Sequence, residues 1–247
     1  MQQALIIGAS RGIGREYVRQ LLAQGWRVYA TARDDAALAD LRSAGAVAIR
    51  IDVARPESLA ALGWELDGVQ LDLAVYVAGV IGPLSGAAAP PTAAAFDQVM
   101  HTNVLGAMQV TPLVAPMLEA ARGKFIFISS GMGSIAEAES SYAWTYRISK
   151  GALNMAVRAA AFDYPKVVLA ALSPGWVRTD MGEKMPSCRR RKAWPACWTR
   201  LPACAPGTVA DFSGILASRF PGRQPLPAFS LRWAGARAGS SAGAAPD

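Results

Sequence analysis

Residues 3–33 read QALIIGASRGIGREYVRQLLAQGWRVYATAR, and this stretch decides the fold. The short apolar strand Gln3–Ile7 ends in a turn carrying Gly8, Gly12 and Gly14. Helical spacing follows over Arg15–Gln24, with Tyr17, Val18, Leu21 and Leu22 on one side. Gly25 stands where a helix C-cap belongs, and Trp26–Ala32 is a second strand. The three glycines have separate tasks. One permits the tight turn, one lets the backbone approach a pyrophosphate, and one lets the helix close on the sheet. Ser10, Arg11 and Ile13 share the turn, and the helix N-terminus offers its N–H groups and positive dipole end to phosphates. Glycines at a turn are by themselves as often structural as ligand-binding. Their place between strand and helix favours a dinucleotide.

Outward from this unit the alternation continues. Asp35–Ala44 reads as a helix stopped at Gly45, and Ala46–Ile51 as a third strand. Leu71–Val77 is a continuous apolar run, as in a strand covered on both faces. A helix is predicted over Phe96–Ala121, bent at Pro112 and Pro116. Lys124–Ser129 is a strand, Ser141–Phe162 a long helix and Val167–Leu172 a sixth strand. This is an α/β pattern: a Rossmann-type, doubly wound parallel sheet flanked by helices in three layers. Gly8, Asp52, Gly79, Ser130 and Gly175 all follow predicted strands, so they converge on one cleft at the carboxyl edge of the sheet.

The end of the second strand discriminates between cofactors. An acid there holds ribose hydroxyls, whereas a 2′-phosphate wants a cation. Here Thr31-Ala32-Arg33 occupies the position, with Arg11 in the glycine turn. Two guanidiniums can fork a phosphate, which favours NADP(H). Asp34 and Asp35 follow, and either could accept a ribose hydroxyl instead.

Tyr146 and Lys150 stand four apart on a predicted helix and share a face. An adjacent ammonium favours the phenolate, which fits a tyrosine for proton transfer to or from an alkoxide. A bare YxxxK pair is common by chance. Tyr142 has Tyr146 rather than lysine at the matching offset, so the chemistry falls to Tyr146.

With Gly8xxxGly12xGly14, Asp52-Val53, Ala78-Gly79, Asn103, Ser130, Tyr146xxxLys150 and Pro174-Gly175 in order over residues 1–182, the chain resembles the classical short-chain dehydrogenase/reductase family. The stretches ISSGMGSIA and YRISKGALNM resemble its carbonyl-reductase-like branch, with the sniffer and C-factor-like proteins. The resemblance implies Tyr146 as acid/base, Lys150 as the group that lowers its pKa and holds the nicotinamide ribose, and Ser130 on the substrate carbonyl oxygen. Asn103 would maintain a relay water beside Lys150. Asp52 and Val53 would receive the adenine, Ala78 and Gly79 would line the ribose, and Val177 and Thr179 would meet the nicotinamide amide and phosphates. The implied activity is NADPH-dependent, reversible reduction of a ketone or aldehyde by a homodimer paired through its long helices. A dinucleotide-binding signalling protein of the same fold is the alternative, but a pure binder has no need of all four of Asn103, Ser130, Tyr146 and Lys150.

Two positions depart from the family pattern. Tyr76-Val77-Ala78-Gly79 replaces an asparagine-rich segment, so a side-chain link that steadies the sheet is expected to be missing. Ser130 precedes Tyr146 by sixteen residues, with Ser129 as the fallback if the register slips by one.

The net charge of +7 is local: residues 1–182 carry 15 basic and 15 acidic side chains, residues 183–247 carry 10 and 3. No aromatic platform accompanies that basic tail, so a specific nucleic-acid partner is not expected. Cys188, Cys197 and Cys204 have no zinc-knuckle spacing and read as free thiols, and the lone His101 as structural; no metal is expected. The chain shows neither a continuous apolar run of membrane-spanning length nor a signal peptide, which points to the cytoplasm and excludes a membrane partner. Residues 183–247 hold half of the 16 prolines and all three cysteines, where family members carry a substrate lid and a seventh strand. Only Val209–Phe220 reads as helical there, and Phe229–Trp233 is the best strand candidate. The abrupt change reads as a frame shift in the source gene, with a divergent tail as the alternative.

Overall fold

In the computed structural model, residues 1–175 are described. Val177, Thr179, the three cysteines and the expectations for residues 183–247 lie outside them. Six strands, β1 (Gln3–Ile7), β2 (Arg27–Ala32), β3 (Val47–Arg50), β4 (Leu73–Tyr76), β5 (Lys124–Ile128) and β6 (Val168–Leu172), form one parallel sheet in the order β3-β2-β1-β4-β5-β6. The order reverses between β1 and β4, the switch point beside which sheets of this kind bind ligands beyond their strand ends.

The sheet is covered on both faces because alternate strand residues feed two separate cores. Leu5, Ile7, Tyr76, Phe125 and Phe127 pack under α3 (Pro56–Glu65), α5 (Gly106–Ala121) and α6 (Trp144–Ala160). Ala4, Ile6, Val28, Val75 and Ile126 pack on the other face under α1 (Gly12–Ala23) and α2 (Asp35–Ser43). The larger residues thus face α3, α5 and α6, with Phe125 and Phe127 4.2 Å apart between ring centres.

Most strand bounds match the sequence reading to within two residues, but the helices differ in instructive ways. α1 starts at Gly12, three residues before Arg15, because the glycines that obscure a helix signal are themselves inside its first turn. α3 is absent from the sequence reading. Its cues are weak: Pro56 at the start and Leu59 and Leu62 inward, with Gly63 and an 85% exposed Trp64 interrupting the pattern. Gly25 and Gly45 follow α1 and α2 with φ of +79° and +98°, as helix-stopping glycines should.

The predicted Phe96–Ala121 helix is broken elsewhere than expected. It begins as α4 (Ala93–Met100), capped by Thr92, whose hydroxyl accepts from the Ala95 amide at 3.2 Å. A π-helical turn, His101–Leu105, joins α4 to α5. Pro112 and Pro116 lie within the single element α5, on its exposed side. By length and composition Ala93–Ala121 is the one helical run among the described residues apolar enough to cross a membrane, although no single stretch of it stood out as a span in the sequence. Its inner side, through Val110, Val114 and Leu118, packs on the sheet as a core helix does.

Candidate active site

The glycine turn is a cradle that admits only glycine. A Cβ on Gly14 would lie 2.2 Å from the Gly8 carbonyl oxygen, and one on Gly8 would lie 2.6 Å from the Ala78 nitrogen. Gly8 and Gly12 also have φ of +89° and +54°. The turn is wired to β2: the Gly8 amide donates to Thr31 Oγ1 at 3.0 Å and the Ala9 amide to the Thr31 carbonyl at 2.8 Å. It is wired to β4 as well, since the Ala78 amide donates to the Ile7 carbonyl at 2.9 Å. No side chain caps α1 and its first turn holds no acid. Its N-terminal amides and dipole therefore face the turn without a competing carboxylate. Ser10, Ile13 and Ala78 are half-buried around the turn, and Arg11 and Gly12 are exposed.

At the end of β2 both acids are engaged by the protein. Asp34 caps α2, accepting from the Ala37 amide at 2.8 Å, and Asp35 is paired with Arg50. Arg33 is exposed beside them. Asp52 Oδ1 accepts from the Ala54 amide at 3.1 Å, and the neighbouring Val53 is buried against the start of α5.

The second half of the site is a buried polar cluster. Asn103 is fully buried: Nδ2 donates to the Val80 carbonyl and to Ser149 Oγ, each at 2.9 Å, and Oδ1 accepts from the Val80 amide at 2.8 Å. Ser149 in turn donates to the Tyr146 carbonyl at 2.8 Å. The π turn widens the helix where Asn103 enters this cluster, a common device at functional sites. A Cβ on Gly79 would meet Asn103 Oδ1 at 3.3 Å and Lys150 Nζ at 3.7 Å, so Gly79, Asn103 and Lys150 converge.

Ser130 stands beside the Tyr146 hydroxyl, and the Lys150 ammonium lies 5.6 Å from the Tyr146 ring centre. Burial pushes the phenol up to about 12, offset in part by the Ser130 hydroxyl. Burial also brings the ammonium down to about 8, and Nζ donates to the Ile128 carbonyl at 2.8 Å. The lysine was expected to draw the tyrosine pKa down. In the chain alone burial wins over it, because the ammonium is itself desolvated and committed to a backbone carbonyl. Tyr146 is consequently a protonated acid at neutral pH. Ser129 points elsewhere: its hydroxyl donates to Asn154 Oδ1 at 2.6 Å, which removes it as the fallback for Ser130. Beyond β6, the Ser173 hydroxyl accepts from the Gly131 amide at 3.0 Å, tying Pro174 and Gly175 to the Ser130 loop. His101 is exposed.

Sequence reasoning missed three contributors. Tyr76 is fully buried and its hydroxyl donates to the Thr102 carbonyl at 2.7 Å, so the strand does hold a side-chain link to the π turn. This link ties β4 to the π turn, a different connection from the asparagine link within the sheet that the sequence lacks. A Cβ on Gly106 would stand 2.7 Å from that hydroxyl. Ser149 carried no signal in isolation. Arg50 could have been found only by knowing that β3 borders β2.

A parallel sheet reversing at a glycine cradle, with a buried Asn–Ser–Tyr–Lys cluster on its carboxyl edge, defines a dinucleotide-dependent oxidoreductase fold. Residues 2–189 match the family profile for short chain dehydrogenases, and the chain belongs to that family. It is 33% identical over 199 residues to 1-hydroxy-2-glutathionyl-2-methyl-3-butene dehydrogenase of Rhodococcus sp. (strain AD45), covering 75% of this chain and 82% of the relative. A C-signal protein of Myxococcus xanthus is 45% identical over 83 residues, 32% of this chain and half of its own. Among solved structures, a short-chain dehydrogenase/reductase of Burkholderia multivorans with bound NADP superposes with a TM-score of 0.68 at 32% identity, over 73% of this chain and 82% of that one. The carbonyl reductase sniffer of Caenorhabditis elegans gives 0.64 at 28% identity, over 71% and 86%.

Proposed function

We propose that this protein reduces a ketone or aldehyde to an alcohol with NADPH. The carrying observation is the buried Tyr146, with Ser130 beside its hydroxyl and the buried Lys150 ammonium 5.6 Å from its ring centre. Gly8, Ser10, Arg11, Gly12, Ile13 and Gly14 would hold the pyrophosphate, and Arg33 with Arg11 the 2′-phosphate. Asp52 and Val53 would border the adenine, with Ala78, Gly79, Pro174 and Gly175 lining the cleft. The engagement of Asp34 by the start of α2 and of Asp35 by Arg50 supports NADP(H) over NAD, because each carboxylate is partly committed to a protein donor. When bound, the reduced nicotinamide supplies a hydride. The chain supplies the proton: Ser130 steadies the carbonyl oxygen and Tyr146 Oη donates to it as charge develops. Lys150 and Asn103 hold the polar surroundings from which the phenolate is reprotonated. Burial of Tyr146 favours the neutral form that donates the proton in the reductive step.

We also propose a homodimer. Leu105, Met108, Ile148, Met155 and Phe162, all exposed, give α5, α6 and the turns beside them an apolar surface that a second copy would cover. Residues 1–182 would be the catalytic domain, and residues 183–247 a divergent or frame-shifted tail in place of the usual lid. The composition change at residue 183 supports this, and the intact mass of native protein tests it.

The deciding experiment follows NADPH absorbance with a panel of aldehydes and ketones, for the wild type and for Tyr146→Phe. Turnover lost by at least about a thousandfold in the variant, with NADPH binding retained, is the expected result. Tight NADPH binding with no turnover of any carbonyl by the wild type would overturn the enzymatic reading.

A further inference from the structure

Arg50 is the last residue of β3 and is paired in register with Ala32, the last residue of β2. Its guanidinium spans the start of the next segment: one nitrogen donates to the Arg33 carbonyl at 2.8 Å and another to the Asp35 carboxylate. The same end of β2 is hydrogen-bonded through Thr31 to Gly8 and Ala9, so this corner belongs to the glycine turn. Asp34 faces the α2 amides as the helix cap. Asp35 is the remaining acid, 88% exposed at its side chain and adjacent to the segment that carries Arg33.

We infer that Arg50 is a positioning residue that sets the preference for NADPH over NADH, and that it acts by occupying Asp35 and fixing the backbone of Arg33. The inference rests on the cofactor reading above. A bare Asp35 carboxylate would repel a 2′-phosphate and could accept the hydroxyls of an unphosphorylated ribose. The guanidinium cancels that charge in place, and its planar fork, bonded to a carbonyl and a carboxylate together, holds both in one geometry. Exposed ion pairs contribute little to stability. The pair therefore matters for the charge it presents to the ligand and leaves folding almost unchanged.

The test measures equilibrium binding of NADPH and of NADH to the full chain by fluorescence, so it needs no substrate. The proteins are wild type, Arg50→Gln, Asp35→Asn and the double variant. Arg50→Gln should weaken NADPH on the order of tenfold and leave NADH within about twofold. Adding Asp35→Asn should restore most of the lost NADPH affinity, because the exposed carboxylate is then gone. Equal weakening of both cofactors, unchanged NADPH affinity in Arg50→Gln, or no recovery in the double variant would each overturn the inference. Wild type that binds NADH as tightly as NADPH would overturn the cofactor reading itself, and this inference with it. Wild-type preference that survives Arg50→Gln overturns this inference alone.

Discussion

Lys150 places a charge where the fold disfavours one, and the consequence can be measured. The residue is 4% exposed, and among the described residues its ammonium donates to the Ile128 carbonyl. A fall from 10.5 to about 8 corresponds to roughly 3 kcal/mol withheld from folding stability at neutral pH. The unfolded chain keeps the lysine proton up to its ordinary pKa, and the folded chain only to about 8. Between those values the unfolded state binds more protons, so stability rises with pH. Above about pH 10 the tyrosines oppose this. Tyr17, Tyr76 and Tyr146 are all raised by burial, so the unfolded chain loses phenolic protons that the folded chain keeps. Lys150→Met removes the ammonium and keeps a straight apolar side chain, but leaves the Ile128 carbonyl without its donor, at a cost of about 1 kcal/mol. The net expectation is a variant about 2 kcal/mol more stable than wild type at pH 7, or roughly 4–8 °C in Tm, and inactive. Urea denaturation from about pH 7 to 9.5 tests both halves. Wild-type stability that stays flat or falls over that range, or a variant less stable at pH 7, would refute the reasoning.

Ser130→Ala should lower turnover at least about a hundredfold, whereas Ser129→Ala should lose about 1 kcal/mol of stability and keep its activity, since its hydroxyl bonds Asn154. Steady-state kinetics beside thermal melts separates the two serines. Tyr76→Phe removes the donor to the Thr102 carbonyl inside the core and should cost about 1–3 kcal/mol, read as a fall in the urea midpoint at constant slope. Arg122 ends α5 in the left-handed region with φ of 52°, so Arg122→Gly should raise stability by about 1 kcal/mol in the same assay.

The sequence alone determined the α/β alternation, the glycine turn and the Tyr146–Lys150 spacing, because each is written in neighbours that are close along the chain. Gly8, Gly12 and Gly14 were legible since only glycine tolerates those φ values and close approaches. Tertiary structure alone decided the rest. At the π turn of Asn103 a strand tyrosine, a helix serine and a loop amide meet, which no local period records. The choice between Ser129 and Ser130 turned on the partner each hydroxyl finds, Asn154 for Ser129 and the surroundings of Tyr146 for Ser130. The protonation of Tyr146 and Lys150 depends on desolvation by residues from several elements, which their spacing does not record. The partner of Asp35 became visible only once β3 lay beside β2, because adjacency in a parallel sheet is not adjacency in sequence.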